Sequence, residues 1–353
     1  MLRFLVRFLV FVVAVALIML AVAPLLIDPT PAPGATSAET IALSESHFVD
    51  LPFPGTDGIE MHYLEKDALP NAETQPPSAQ VSEPSGPSKG SKATFVLLHG
   101  FTFNAFTYNQ LLDGLARYGR VVAYDQIPYG LSSKPLPGTW SAENPYSKAA
   151  ARKRLFAFMD ALHIDQAILV GNSSGGTLAL EAALSNPERV PALILLSPWV
   201  HAKRPIFPDW FAQLPQVHRL TLLLARYLGE TSPLLDYSYA QPMRIDDQRR
   251  ALTGIHREMA NWDAAWAALL NRSLTDPVEI SAHLGEIRQP VLVISGELDQ
   301  IVPSADTQAT AAELPNAQFV EVPDCGHVPQ EECPLQVIDT VSAWLQTVSR
   351  QQL

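Results

Sequence analysis

The stretch Ala167-Ile-Leu-Val-Gly-Asn-Ser-Ser-Gly-Gly-Thr-Leu-Ala-Leu-Glu-Ala-Ala183 decides the fold. Its first four residues form a short apolar run of the kind carried by a strand buried on both faces, and from Gly176 onward helix formers take over. Between them, Gly171-Asn-Ser-Ser-Gly175 is built of small residues that permit a cramped strand-to-helix turn with Ser173 at its apex. A serine hydroxyl is a poor nucleophile unless it is held clear of the backbone beside a base, and this turn holds it clear. Side chains at positions 171 and 175 would strike the neighbouring strand and helix. The N–H of Ser174, at the helix N-terminus, is placed to face a developing oxyanion. The same residues can also do no more than cap a helix, but the flanking strand and helix favour the catalytic reading.

Working outward, the same rhythm repeats. Thr94–Leu98, Val121–Tyr124, Ala192–Leu196, Val291–Ile294 and Gln318–Val322 read as further short strands, and Gly58–Tyr63 as a strand with one exposed face. Helices are predicted over Phe106–Tyr118, Ser147–Leu162, Gly176–Leu184, Ala305–Glu313 and Pro334–Val348. Strand and helix alternating in this way predict an α/β protein with a mostly parallel central sheet and helices on both faces. Residues 199–284 break the rhythm with helical, aromatic-rich sequence that reads as a cap over the carboxyl edge of the sheet. The core is therefore expected in two parts, 46–198 and 285–353. Residues 67–92, rich in Pro, Ser, Glu and Gly, read as an exposed insertion in the first part.

The start of the chain has another character. Arg3 and Arg7 precede Phe8–Ile27, which carries no charge and at ~1.5 Å per residue spans about 30 Å, the thickness of a hydrocarbon core. Residues 1–27 are expected to be a transmembrane helix. The arginines favour a cytoplasmic N-terminus and an extracytoplasmic catalytic domain. Cleavage as a secretory signal, leaving a secreted or periplasmic protein, is the alternative. Ala21-Val-Ala23 resembles a cleavage site, but Pro24 follows it and the apolar run continues. Residues 28–45 read as a linker, the part from Asp28 to Glu39 as a tether. A net charge of −12 offers no positive footprint for nucleic acid. Nothing in the sequence specifies a number of subunits.

The remaining chemistry is read from three loops. Leu97-Leu-His-Gly-Phe101 closes a strand with a glycine and can present the amide of Phe101 as a second oxyanion donor. His99 precedes the serine and is expected to brace this loop. Glu321-Val-Pro-Asp-Cys-Gly-His327 puts His327 between the last strand and the last helix, where an imidazole can lean over the sheet edge as the base. A base needs a carboxylate to fix its tautomer. Asp299 in Ser295-Gly-Glu-Leu-Asp299 is favoured over Glu297, which reads as a turn residue, and over Asp324, which reads as a loop brace.

Together these motifs resemble the α/β-hydrolase superfamily, in particular its capped small-molecule hydrolases: meta-cleavage-product C–C hydrolases, esterases and cofactor-free haloperoxidase-like enzymes. The resemblance runs from about Phe48 to Gln346 without the insertion, and it implies a triad of Ser173, Asp299 and His327. The family's loop Asp-x-Arg-Gly-x-Gly-x-Ser reads Asp125-Gln-Ile-Pro-Tyr-Gly-Leu-Ser132 here, with Ile127 for the arginine and Pro128 for the first glycine. A serine nucleophile argues against the dehalogenases and epoxide hydrolases of this fold, which use aspartate. The expected activity is hydrolysis of a small carboxylic ester through an acyl-enzyme, without metal or organic cofactor. C–C hydrolysis, or an inactive membrane-anchored binding protein, are the alternatives. Trp199, Phe207, Trp210 and Phe211 are candidate walls of an apolar substrate pocket, or glue between cap and core. Arg204, Arg244 and Arg257 are the cap cations available to a substrate carboxylate. Cys325 and Cys333 flank His327 and, in a translocated chain, are expected to form a disulfide.

Overall fold

Side chains in a strand point alternately to opposite faces, so a continuous apolar run supplies two cores at once. In this protein Val96, Leu98, Leu169, Leu193, Leu195, Val291 and Val293 belong to one core. Their neighbours Phe95, Leu97, Val170, Ile194, Leu196, Leu292 and Ile294 belong to the other. The computed structural model describes residues 2–69, 93–201 and 205–351, so most of the expected insertion, and Arg204, lie outside the described residues.

The strands are β1 (Ser46–Leu51), β2 (Ile59–Lys66), β3 (Ala93–Leu98), β4 (Gly119–Tyr124), β5 (Ile168–Asn172), β6 (Leu193–Leu196), β7 (Val291–Gly296) and β8 (Ala317–Val322). Among the described residues they form a sheet of order β1-β2-β4-β3-β5-β6-β7-β8. β1, β2 and β4 pair antiparallel and all other pairs are parallel. The strand expected over Gly58–Tyr63 is not half exposed. β1 covers its outer edge, and Ile59, Met61, His62 and Leu64 are all buried.

The helices are α1 (Leu2–Val22), α2 (Asn109–Ala116), α3 (Lys148–Ala161), α4 (Ser174–Ser185), α5 (Asp209–Ala212), α6 (Pro215–Thr231), α7 (Pro233–Ser238), α8 (Asp247–Thr253), α9 (Trp262–Ser273), α10 (Ser304–Glu313), α11 (Pro329–Glu332) and α12 (Pro334–Gln351). One core holds Leu155 and Phe158 of α3, Leu178 of α4 and Ala311 of α10. The other holds Leu111 and Leu115 of α2 with Val337, Val341 and Trp344 of α12.

α5 to α9 lie between β6 and β7 and make the helical cap. Its own core is Leu222 and Ala225 of α6 with Trp262, Trp266 and Ala267 of α9, closed below by Tyr129 of the loop after β4. The indole N–H of Trp266 donates to the carbonyl of Pro128 at 3.3 Å, so the residue that departs from the family loop pattern is part of the seat of the cap.

β3 lies between β4 and β5, and the chain leaves it first to one side and then to the other. Ligand crevices in open parallel sheets form where the connections diverge in this way, outside the carboxyl ends of the strands. Residues 70–92, by contrast, join Leu69 to Ala93, which pairs with Gly119 at the opposite edge of the sheet.

α1 and the turn after it contain an apolar span, Phe4–Leu26, of mean hydropathy 3.0 that the rest of the protein leaves almost uncovered. The segment expected as a tether is laid along the cap instead. Ala35 forms a bridge with Met259, and the amides of Ala260 and Asn261 donate to the carbonyls of Ala35 and Ala32 at 2.8 and 2.9 Å. The buried carboxylate of Asp263 accepts from the amide of Ala32 at 2.8 Å and from Arg226 Nε at 2.8 Å, while Arg226 also donates to the carbonyls of Asp28 and Thr30. The Pro- and Thr-rich composition that reads as mobile is immobilised by backbone bonding, which composition does not reveal. Removing one partner of a buried ion pair leaves the other charge and an amide unsatisfied. Asp263→Ala should therefore cost about 2–3 kcal/mol and speed proteolytic cutting between residues 28 and 45. Cutting at the native rate would show that the carboxylate does not hold this segment.

Candidate active site

The turn after β5 is built as its small residues require. Ser173 has φ 53° and ψ −120°, a conformation costly for a residue with a side chain and usually kept where surrounding structure enforces it. A Cβ on Gly175 would lie 2.0 Å from the carbonyl oxygen of Leu98 in β3, and one on Gly171 would lie 2.6 Å from that of Gly175. The Ser173 carbonyl accepts from the amides of Gly176 at 2.9 Å and Trp199 at 3.1 Å, which pins the turn from both sides. Ser173 is mostly buried and opens into a cavity of about 460 Å³ that is also lined by His327, Phe101, Ser174 and Trp199. The backbone N–H groups of Phe101 and Ser174 have no hydrogen-bond partner among the described residues.

His327 and Asp299 are brought together from two loops. His327 Nδ1 donates to Asp299 Oδ2 at 2.8 Å, with both side chains buried. The other carboxylate oxygen accepts from the amides of Ile301 and Val302 at 2.8 and 2.9 Å, so the acid is fixed before it meets the ring. With Nδ1–H engaged, Nε2 carries the lone pair. Glu297 is exposed and accepts from the amide of Asp324, so neither runner-up acid reaches the histidine.

His99 does what its position predicted. Its Nδ1 donates to the carbonyl of Gly100 at 2.8 Å and its Nε2 accepts from the amide of Gln126 at 2.9 Å, a neutral tautomer. Burial pulls its pKa below the ordinary value, which favours that form. His62, which no sequence motif singles out, has a comparable partner. It forms a second buried pair with Asp125 at 2.7 Å, its other nitrogen meeting Ser46 Oγ at 2.8 Å. Burial alone would raise the Asp125 pKa, but the charge and hydrogen bond of His62 and the amide of Ala105 outweigh it and hold it at about 2. Neither residue lines the cavity.

Of the four aromatic candidates for the pocket, Trp199 lines the cavity. Phe207 and Phe211 stack on each other at 4.5 Å and Trp210 is 64 % exposed, and none of the three lines the cavity. Of the cap arginines, Arg244 and Arg257 do not reach it either: Arg244 lies 3.9 Å from Glu332, and Arg257 donates to the carbonyl of Glu230. The cavity's arginine is Arg154 of α3, 4 % exposed, with Nη1 donating to the carbonyl of Pro145 at 3.0 Å and no carboxylate at ion-pair distance among the described residues. Burial lowers its pKa to about 10. Its signal in the sequence is the spacing Ala150, Arg154, Phe158, which puts a charge on the buried stripe of a helix.

The sequence reading also missed the braces of the His327 loop. Asn172 Nδ2 donates to the carbonyls of Leu196 and His327, each at 3.0 Å, tying the serine strand to the histidine. The amide of His327 donates to the carbonyl of Ser238 in the cap at 2.7 Å. The carboxylate of Glu332 accepts from the amides of Gly326, Ala240 and Gln241 at 2.8–2.9 Å. These are contacts between distant parts of the chain, and nothing in the spacing of single residues announces them. Among the described residues no group of His, Cys, Asp and Glu is arranged to hold a metal ion.

A parallel sheet with a serine after a middle strand, a carboxylate after a later one and a histidine before the last helix defines a class of hydrolases. Residues 93–334 match the family model described as the alpha/beta hydrolase fold, and the chain belongs to that family, related to esterases and meta-cleavage-product hydrolases. An uncharacterized hydrolase of Bacillus subtilis is 28 % identical over 249 residues, covering 69 % of this chain and 86 % of that protein. A thermophilic esterase of Thermogutta terrifontis has the same fold with a TM-score of 0.60 and 21 % identity, covering 86 % of this chain and 99 % of the other. A bacterial membrane phospholipase A matches with a TM-score of 0.59 and 22 % identity over 99 % of both chains.

Cys325 and Cys333 are joined by a disulfide, with Cα atoms 6.2 Å apart, and so clamp the His327 loop to the start of the last helix. Closing so short a loop should stabilise by about 2–3 kcal/mol in the chain-entropy account. The unreduced, denatured protein should show no titratable thiol, and the paired Cys325→Ser, Cys333→Ser change should lower the melting temperature. Two free thiols would show that the bond does not form.

Proposed function

We propose that this protein is a membrane-anchored serine hydrolase that cleaves small carboxylic esters through an acyl-enzyme. The observation that carries the reading is that one cavity collects a serine held at positive φ, a histidine whose Nδ1 is bonded to a buried carboxylate, and the backbone amides of Phe101 and Ser174, which have no partner among the described residues.

In this reading Ser173 is the nucleophile and His327 Nε2 takes its proton as the Oγ–carbonyl bond forms. The negative charge that develops on the carbonyl oxygen falls to the amides of Phe101 and Ser174. Donors fixed in advance stabilise it without reorganisation, each contributing a factor of about 10²–10³ in rate. Asp299 holds the ring in its tautomer and stabilises the imidazolium, which returns the proton to the departing alkoxide. Water deprotonated by His327 then releases the acid. The cavity volume of about 460 Å³ suits a small substrate, and Phe101, Phe103, Trp199, Leu269 and Leu270 offer apolar contact to its acyl or alcohol part.

The chain divides in this reading into an anchor (1–27), a docked linker (28–45), a catalytic core (46–198 and 285–353) and a cap (199–284). Arg3 and Arg7 keep the N-terminus cytoplasmic, and the catalytic part lies outside. The disulfide supports that side, because such bonds persist in oxidising compartments. One observation favours a second reading. Arg154 offers the cavity a buried cation, as a C–C hydrolase would need for a substrate carboxylate. Ester cleavage is preferred because most of the named lining is apolar.

Ser173→Ala should lower the rate on short-chain aryl esters by at least about 10⁴-fold with unchanged circular dichroism and no dependence on added metal. An undiminished rate in a folded variant would end the assignment. Comparing simple esters, lactones and vinylogous 1,5-diketones separates the two readings, with preference for the diketones overturning the first.

The placement has its own check. In its native cells the protein should stay with membranes after a high-salt wash, with an N-terminus upstream of Pro24. A soluble form beginning near Pro24 or Ala35 would show that the segment is cleaved.

A further inference from the structure

α6 presents three different faces. At ~100° per residue, Val217, Thr221, Leu222, Ala225 and Gly229 fall on one side, and they are buried against the cap core. Arg219 and Arg226 fall on a second side, and Gln216 stands in the first turn at the end of the remaining one. Gln216 donates to the carbonyl of Ala21 at 3.1 Å, Arg219 to that of Ile27 at 3.0 Å, and Arg226 to those of Asp28 and Thr30. The chain leaving α1 therefore runs along α6 from its first turn to its third.

The third side is a stripe at i, i+3, i+4 and i+7: Leu220, Leu223, Leu224 and Tyr227, exposed by 45, 51, 45 and 55 %. One exposed leucine is ordinary on a protein surface, but an uninterrupted stripe marks a surface that something covers. A helix that is apolar both towards the core and away from it belongs at a boundary between protein and another apolar phase.

The structure also indicates which phase. Ala21 lies inside the apolar span Phe4–Leu26, and its carbonyl is bonded to the first turn of α6. Wherever α1 leaves a bilayer, α6 begins. Leu26, 81 % exposed, continues the apolar surface from the span, and Trp210, 64 % exposed, stands on the short helix just before α6. Trp and Tyr are side chains that settle at the membrane–water boundary. The stripe contains no charge and the chain carries −12, so contact with lipid here would rest on apolar burial and not on attraction to anionic headgroups.

We propose that the stripe Leu220, Leu223, Leu224, Tyr227 rests in the headgroup–acyl boundary of a lipid bilayer, holding the cap against the membrane beside the anchor. The inference rests on the reading of α1 as an anchor. Its consequence is directional. α9, whose Leu269 and Leu270 line the cavity, packs directly behind α6, so the cap wall of the cavity faces the lipid.

The test uses the full chain, whose native cysteines are both engaged in the disulfide. An environment-sensitive fluorophore is placed by Val12→Cys in the anchor, by Leu223→Cys in the stripe and by Gln308→Cys on the exposed surface of α10 as a control. Each labelled protein is reconstituted, one chain per disc, in phosphatidylcholine nanodiscs with and without brominated acyl chains. The expected result is blue-shifted emission, quenched several-fold by brominated lipid, at positions 12 and 223 but not at 308. Quenching at 12 with position 223 behaving like 308 overturns the docking while the anchor stands. A blue shift at 223 that brominated lipid does not quench, and that grows with several chains per disc, overturns it in favour of a second copy of the chain. Quenching at neither 12 nor 223 removes the anchor reading and the docking together, and quenching at 223 alone removes the anchor and with it a docking that depends on the anchor.

Discussion

The carbonyl oxygen of Leu98, 2.0 Å from where a Gly175 side chain would begin, is the constraint on which the site depends. It fixes how closely the helix after β5 approaches β3, and so forces the chain between Gly171 and Gly175 into a turn that only small residues can make. Parallel pairing of Leu98 with Gly171 then sets the loop after β3 directly against that turn. A Cβ on Gly100 would lie 3.1 Å from the Ser173 Cβ, so the amide of Phe101 and the serine reach the same cavity by backbone geometry alone. The positive φ of Ser173 is the local strain that this arrangement enforces.

Two buried histidine–carboxylate pairs, with nearly the same separation, show how little such a contact says by itself. His62–Asp125 sits where β2 meets the loop after β4, its second nitrogen occupied by Ser46 and its carboxylate also accepting from the amides of Ala105 and Leu131. Both ring nitrogens are engaged, and the pair acts as a bolt between loops. His327 instead lines the cavity that Ser173 also lines, with its Nδ1 engaged by Asp299. What separates the two pairs is that both nitrogens of His62 are engaged, whereas His327 reaches the cavity.

Most of the core was legible in the sequence because buried parallel strands must be apolar on both faces, and runs such as Val291–Ile294 leave no other reading. The pairing of His327 with Asp299 was legible because each follows a strand and carries a glycine nearby, and the tight turn at Ser173 because its neighbours are small. What was not legible depends on contacts across long separations. The half-exposed strand was misread because β1, which shields it, carries the mixed sequence Ser46-His-Phe-Val-Asp-Leu51 with no clear alternation. The tether was misread because proline-rich composition says nothing of a bond from Ala32 to a carboxylate some two hundred residues away. Phe207, Trp210 and Phe211 were assigned to the pocket on aromatic character, which does not tell a side chain that lines the cavity from one that does not. Arg154 was not legible as a cavity residue because its place depends on how α3 packs beneath the cap, which its helix spacing alone does not give.

The connection from Leu69 to Ala93 enters the sheet at the edge away from the serine, the histidine and the cap. Free energy spent or gained in that connection is largely uncoupled from the geometry of the turn at Ser173, because the whole length of β3 stands between them. A change of length there would not have to move the turn at Ser173. It is the place where this fold can lengthen, acquire a motif or accept a fused domain with least consequence for the chemistry at the other end of the strand.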